Sequence, residues 1–177
     1  FSRHISEKPE ASILIEKTPK HGSYIPEILR LFPNAKFIHC LRNSEDCVAS
    51  HLRATQTWSQ DIGPKSTIKA AKLWKRRVSE INHAFSKLPE GNCIVTRYEN
   101  LKENTEFELK EIFNWLGVEA DKNSIHQISE AHTLDKTAER LNQKNFNEFI
   151  GNDGIQKKTR LNPIQRLIVR RITAKLG

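Results

Sequence analysis

Arg42 and Ser50 stand eight residues apart, on either side of "NSEDCVA", so a fixed cation and a hydroxyl share one short segment. A planar guanidinium beside a hydroxyl suits a phosphate dianion. Two further places carry similar chemistry: Lys17-Thr18, which closes the apolar run "SILIEK", and Arg97-Tyr98, which closes "NCIVTRY". One such residue alone says little, because a charge that ends an apolar run is ordinarily the chain reaching solvent. Three of them, each closing a β-type run, point to an anion site, since ligands of open parallel sheets bind beyond the carboxyl ends of the strands.

The elements that must position these groups are legible in outline. Ser12 to Lys17 reads as a short strand, broken by Thr18-Pro19. Tyr24 to Phe32 reads as an amphipathic helix with Ile25, Ile28, Leu29 and Phe32 on one face, and Pro33-Asn34 as a turn. Ala35 to Leu41 is apolar throughout, as a buried strand of a parallel sheet is. Asn43 or Ser44 caps the next helix, which carries Glu45 and Asp46 in its first turn and runs to about Ala54. Ser50 lies about 9 Å along that helix at 1.5 Å per residue, within reach of a long arginine side chain folded along it. The start of that helix is itself expected to attract an anion through free N–H groups.

A polar loop, Gln56 to Thr67, precedes a long helix from about Ser66 to Phe85, with Ala70, Leu73, Trp74, Val78, Ile81 and Phe85 facing inward. Asn92 to Tyr98 is the third strand. Leu101 to Gly117 predicts a helix capped by Asn104, with Phe107, Ile112, Trp115 and Leu116 turned inward and Gly117 as its stop. Two short helices are expected between Lys122 and Asn142, then an irregular basic loop from Gly151 to Arg160. A last helix starts at Asn162-Pro163 and ends near Leu176. Strands alternating with helices predict an α/β fold with a mostly parallel sheet. The 177 residues fit one domain.

Composition narrows the partners. Hydrophobic residues make up 37% and charged residues 28%, ordinary for a water-soluble globular chain. No apolar run approaches the roughly 20 residues that a membrane-crossing helix needs, and no basic-then-apolar leader opens the sequence. The net charge of +8 favours anionic ligands without choosing among them. Cys40, Cys47 and Cys93 lack metal-ligand spacing and are an odd number; Cys40 and Cys93 fall in expected buried strands, so free structural thiols are the reading. The first residue is Phe1 and the chain contains no methionine, so further residues are expected upstream.

Three blocks taken together resemble the central part of the PAPS-dependent sulfotransferases: "EKTP" (Glu16 to Pro19), "LFPNAKFIHCLRNSEDCVAS" (Leu31 to Ser50) and "VTRYENL" (Val95 to Leu101). The resemblance covers most of Ile15 to Gly117. It implies a three-layer α/β/α, P-loop-NTPase-like fold, here without the strand–loop–helix that binds the phosphosulfate in that family. It also implies a cosubstrate, 3′-phosphoadenosine 5′-phosphosulfate, with adenosine 3′,5′-bisphosphate as product and a hydroxyl or amine acceptor. Arg42 and Ser50 match the pair that holds the 3′-phosphate, Tyr98 the strand-end tyrosine near the nucleotide, and Thr133 an adenine-side threonine or a simple helix cap. Lys157 and Lys158, with Arg160, are the loose counterpart of the family's C-terminal basic segment. Lys17 matches the lysine beside the transferring sulfuryl group, where its ammonium offsets charge on the bridging oxygen; Glu16 then supports Lys17.

Pro19 occupies the place where some family members carry a histidine base. A glutamate upstream of Phe1, in preference to His21, is expected in that role. Without the phosphosulfate loop, the segment alone is expected to be inactive. The competing account is a basic binding module for nucleic acid or sulfated polysaccharide, built on Lys75-Arg76-Arg77, Lys157-Lys158 and Arg170-Arg171. It leaves the strand-end residues unexplained, so no nucleic-acid partner is expected. Unpatterned cysteines suit the cytoplasm; an upstream anchor would instead place the domain in a Golgi-type lumen. Nothing in the sequence reads out the acceptor or the oligomeric state.

Overall fold

The computed structural model describes residues 11–56, 63–133, 136, 160–174 and 176. Its framework is a parallel pair, β1 (Phe37–Leu41) and β2 (Cys93–Arg97), in register from Phe37 opposite Cys93 to Leu41 opposite Arg97. Two helices make the crossover between them: α2 (Ser44–Gln56) and α3 (Thr67–Phe85). Ahead of β1 come a 3-10 turn (His21–Ser23) and α1 (Ile25–Leu31). After β2 follow α4 (Tyr98–Glu103), α5 (Thr105–Leu116) and α6 (Lys122–Ala131), and near the end of the chain lies α7 (Pro163–Thr173).

Helices pack against both faces of the strand pair, though Ile38 and Cys40 on one face and Val95 on the other stay exposed. Phe37, His39 and Leu41 point to α3: Leu41 packs with Trp74 and Val78, and both Phe37 and His39 meet the Phe85 ring. The opposite face carries Cys40 and Thr96, and the buried Thr96 hydroxyl donates a 2.7 Å hydrogen bond to Glu108 of α5. The α/β class and the parallel pairing are therefore as the alternation of elements predicts. The second part of the core is helical. Val48 and Ala49 of α2, Ala70 and Ala71 of α3, and Leu161 and Val169 around α7 form one buried cluster. The alanines let the three backbones approach closely, and full burial of Val48 and Val169 contributes about 1.5–3 kcal/mol each.

The helix ends follow local chemistry. The Asn43 side chain accepts from the N–H groups of Glu45 and Asp46, and Ser66 caps α3 by accepting from Lys69. Asn162 and Gln165 form a reciprocal capping box at α7. Gly117 ends α5 with φ 75°, a left-handed conformation that suits glycine.

Four expectations need correction. Residues 11–18 form no strand; they lack regular structure, and Ile13, Leu14 and Ile15 are exposed, because a β-prone run becomes a strand only where a neighbour pairs with it. The helix expected from Leu101 to Gly117 is two helices, α4 and α5, parted at Asn104, whose φ of −133° and ψ of 54° interrupt the helical path. Phe107 is exposed rather than turned inward. Cys40 is exposed as well, although all three cysteines are free thiols. The loop 57–62, the loop 151–159 and any second helix between residues 134 and 142 fall outside the described residues, apart from Lys136.

Candidate functional site

β1 and β2 run parallel, so they deliver their next residues to the same edge. Arg42 leaves β1 and Tyr98 leaves β2, and there the Arg42 guanidinium carbon lies 4.8 Å from the centre of the Tyr98 ring. Stacking of this kind holds the planar cation in one orientation. The backbone beneath it is fixed too: the Arg42 carbonyl accepts a 3.2 Å hydrogen bond from the Trp74 indole N–H, from the buried side of α3.

Arg42 has no carboxylate partner among the described residues, and its Nε is buried without a hydrogen-bond acceptor. Glu45, three residues further along, pairs with Arg170 at 2.6 Å. A buried guanidinium N–H without an acceptor is costly unless something supplies one. This corner can therefore receive an anion.

The start of α2 does not supply the donors that the sequence leads one to expect. The Asn43 N–H donates to Glu99 Oε1 at 2.9 Å, the Glu45 and Asp46 N–H groups go to the Asn43 side chain, and the Cys47 N–H goes to the Asn43 carbonyl. These N–H groups are therefore already engaged, and the unpartnered Nε of Arg42 is a donor still to be satisfied. Glu99 was not singled out from the sequence; its place immediately after a strand-end tyrosine is the signal that could have found it.

The other candidate residues are spread more widely. Ser50 sits on α2 as an exposed hydroxyl, two residues beyond the buried Val48. Lys17 is exposed on the irregular 11–18 segment. Glu16, expected to support Lys17, instead accepts from the Thr18 hydroxyl at 2.8 Å and meets His21 Nδ1 at 2.8 Å. His21 is thus oriented by a carboxylate. Thr133 follows α6, exposed, with its hydroxyl against the Glu130 carbonyl and accepting from the Lys136 N–H at 3.4 Å, which is the geometry of a helix cap. Lys157 and Lys158 lie outside the described residues.

Two histidines lie on the elements that flank Arg42. His39 on β1 and His51 on α2 each have a buried, unpartnered Nδ1. Burial lowers the pKa of both, and the charge of Arg77 lowers that of His51 further. Burial likewise pushes the Cys47 thiol up, while Arg42 and Arg77 pull it down, so both guanidiniums act on the inner side of α2. Of the basic clusters behind the binding-module account, Arg170 is paired with Glu45 and Arg76 with Glu80 at 3.7 Å.

Known proteins carry the same organisation. A family model described as the sulfotransferase family matches residues 2–122. A protein of Caenorhabditis briggsae that bears the name of a protein-tyrosine sulfotransferase is 25% identical over 134 residues, which cover 75% of this chain and 45% of that protein. The chain therefore spans less than half the length of that relative. The solved sulfotransferase domain from the curacin biosynthetic pathway superposes with a TM-score of 0.64 at 17% identity, covering 99% of this chain and 68% of its own.

Proposed function

The chain belongs to the sulfotransferase family, and from that premise we propose that its Arg42–Tyr98 corner holds the 3′-phosphate of 3′-phosphoadenosine 5′-phosphosulfate. The observation that carries the reading is the stacked, otherwise unpaired guanidinium at the exits of two parallel strands. A dianion placed there gives the Arg42 N–H groups the acceptor they lack, in the bidentate geometry a guanidinium favours. Ser50, one face further along α2, adds a hydroxyl to the same phosphate. Thr133 is assigned to the adenine side, and Lys157 and Lys158 to closing over the 3′-phosphate.

In the proposed reaction the acceptor oxygen or nitrogen attacks sulfur in line, and the bond from sulfur to the bridging phosphate oxygen breaks. Adenosine 3′,5′-bisphosphate leaves, and the acceptor proton passes to a base. Lys17 offsets the charge that builds on the bridging oxygen. His21, oriented by Glu16, is the proton acceptor this chain offers. Positioning and electrostatics supply most of the acceleration, as they do in phosphoryl transfer.

The test is calorimetric titration of adenosine 3′,5′-bisphosphate into the protein and into Arg42→Ala. The reading requires the parent to bind and the variant to lose at least about tenfold in affinity, about 1.4 kcal/mol. Equal affinities would remove Arg42 from the site.

A further inference from the structure

A cleft of about 260 Å³ opens between the 19–24 segment and α3, and Lys20, Ser23, Tyr24, Arg76, Arg77 and Ile81 line it. Three of these are cations and none is a carboxylate. Glu80, at its margin, meets Arg76 at 3.7 Å and accepts the Ser23 hydroxyl at 3.0 Å, so it offsets part of one charge. Among the described residues Lys20 and Arg77 have no carboxylate partner. Like charges gathered in one concavity repel until an anion enters.

The wall is built rather than incidental. Gly22 packs so closely on α3 that a Cβ there would stand 2.8 Å from the Ile81 side chain. The ring of Tyr24 and the side chain of Ile81 add an apolar surface beside the charges. Pro19, also on the wall, is two residues from Lys17, a backbone span of at most about 7 Å. The cleft therefore adjoins the loop assigned to the sulfuryl group, and its Lys20 and Tyr24 come from a different part of the chain than the Arg42–Tyr98 corner.

We propose that this cleft binds a carboxylate or sulfate substituent on the acceptor, close to the group that is sulfated. The inference rests on the sulfotransferase reading and deepens it: acceptors already carrying negative charge are the preferred class. Lys20, Arg76 and Arg77 set that preference by pairing with the substituent, while Tyr24 and Ile81 contact the body of the molecule.

Matched probes test this by calorimetry on the full chain, with adenosine 3′,5′-bisphosphate present. One pair is 4-hydroxyphenylacetate against 4-ethylphenol; the other is N-acetylglucosamine 6-sulfate against N-acetylglucosamine. The charged member of at least one pair should bind about tenfold tighter than its neutral partner, and the pair that shows it identifies carboxylate or sulfate as the preferred group. The double variant Arg76→Ala/Arg77→Ala should lose that preference and keep its nucleotide affinity, while Arg77→Lys, which keeps the charge, should retain most of it. In the parent, rising salt should erode the preference. Indifference to charge in both pairs, or a preference that survives the double variant or high salt, overturns the inference while leaving nucleotide binding intact. A parent that binds no nucleotide overturns the underlying reading as well, and the reference titration makes the two failures distinguishable.

Discussion

Glu99 of α4 accepts a 2.9 Å hydrogen bond from the backbone N–H of Asn43, 56 residues earlier in the chain. That bond ties the exit of β1 to the exit of β2 just where Arg42 stacks on Tyr98. The corner is therefore braced by its neighbours rather than by the cation itself, which leaves the guanidinium available for a ligand.

The brace predicts how Tyr98 variants behave. Tyr98→Phe keeps a ring under Arg42 and should bind adenosine 3′,5′-bisphosphate nearly as well as the parent. Tyr98→Ala removes the stacking, worth about 0.5–2 kcal/mol, and should weaken binding by about 2- to 30-fold. Equal loss in both variants would assign the effect to the hydroxyl and not to the ring.

Trp74 joins the core to the site through its hydrogen bond to the Arg42 carbonyl. Trp74→Phe should cost about 1 kcal/mol in urea unfolding, the net worth of one such bond plus a small change in packing. Trp74→Ala should cost about 3–5 kcal/mol. A Phe variant as unstable as the Ala variant would mean that the indole N–H, and not the packed ring, dominates.

Gly22 predicts a steric effect with an identifiable relief. Gly22→Ala drives a Cβ into Ile81 and should destabilise the fold by about 1–3 kcal/mol. Adding Ile81→Val, which shortens the obstructing side chain, should recover part of that loss. Thermal unfolding of the two variants decides it, and no recovery would place the strain elsewhere.

Stability should also fall on mild acidification. His39 and His51 are half-buried, and the burial lowers their folded pKa values below the ordinary 6.5. The unfolded chain therefore takes up their protons first as pH falls. Their contribution is complete above about pH 6.5 and is lost progressively below it. His126 runs the other way: its hydrogen bond with Glu106, helped by that carboxylate's charge, raises its pKa, so its contribution is present below pH 6.5 and is lost as pH rises through the raised value. Replacing His39 and His51 by Gln should flatten the acid side of the stability profile and leave the alkaline side unchanged. An unaltered acid limb in the double variant would contradict this account.

Much of this was legible because local chemistry and tertiary packing agree. The apolar runs around residues 37–41 and 93–97 are strands, Asn43, Ser66 and Asn162 cap the helices they precede, and Gly117 ends α5. Where pairing decides, the sequence misleads. "SILIEK" has β-type residues, but strand formation depends on a neighbour that side-chain pattern does not reveal. Tyr98 is read as the end of a strand and the next helix as starting at Leu101, yet the chain turns at Tyr98 directly into α4, and the Asn43–Glu99 bond that results joins residues 56 positions apart. Arg42 and Tyr98 meet at the exits of β1 and β2, but the helix start beside them is not open as expected, since Asn43 takes the Glu45, Asp46 and Cys47 N–H groups and Glu99 takes that of Asn43. The cleft beneath Gly22 escaped notice because it joins residues 19–24 to α3 across more than fifty positions.

The final helix has a role in this chemistry that its distance from the strands conceals. Arg170 pairs with Glu45 and Thr173 meets the Ser44 hydroxyl at 3.1 Å, so α7 engages a carboxylate that lies three residues from Arg42 in the chain. Arg170→Ala would free Glu45 without touching the buried Leu161 and Val169, and on the proposed reading the released carboxylate would compete with the nucleotide for Arg42, so occupancy would drop.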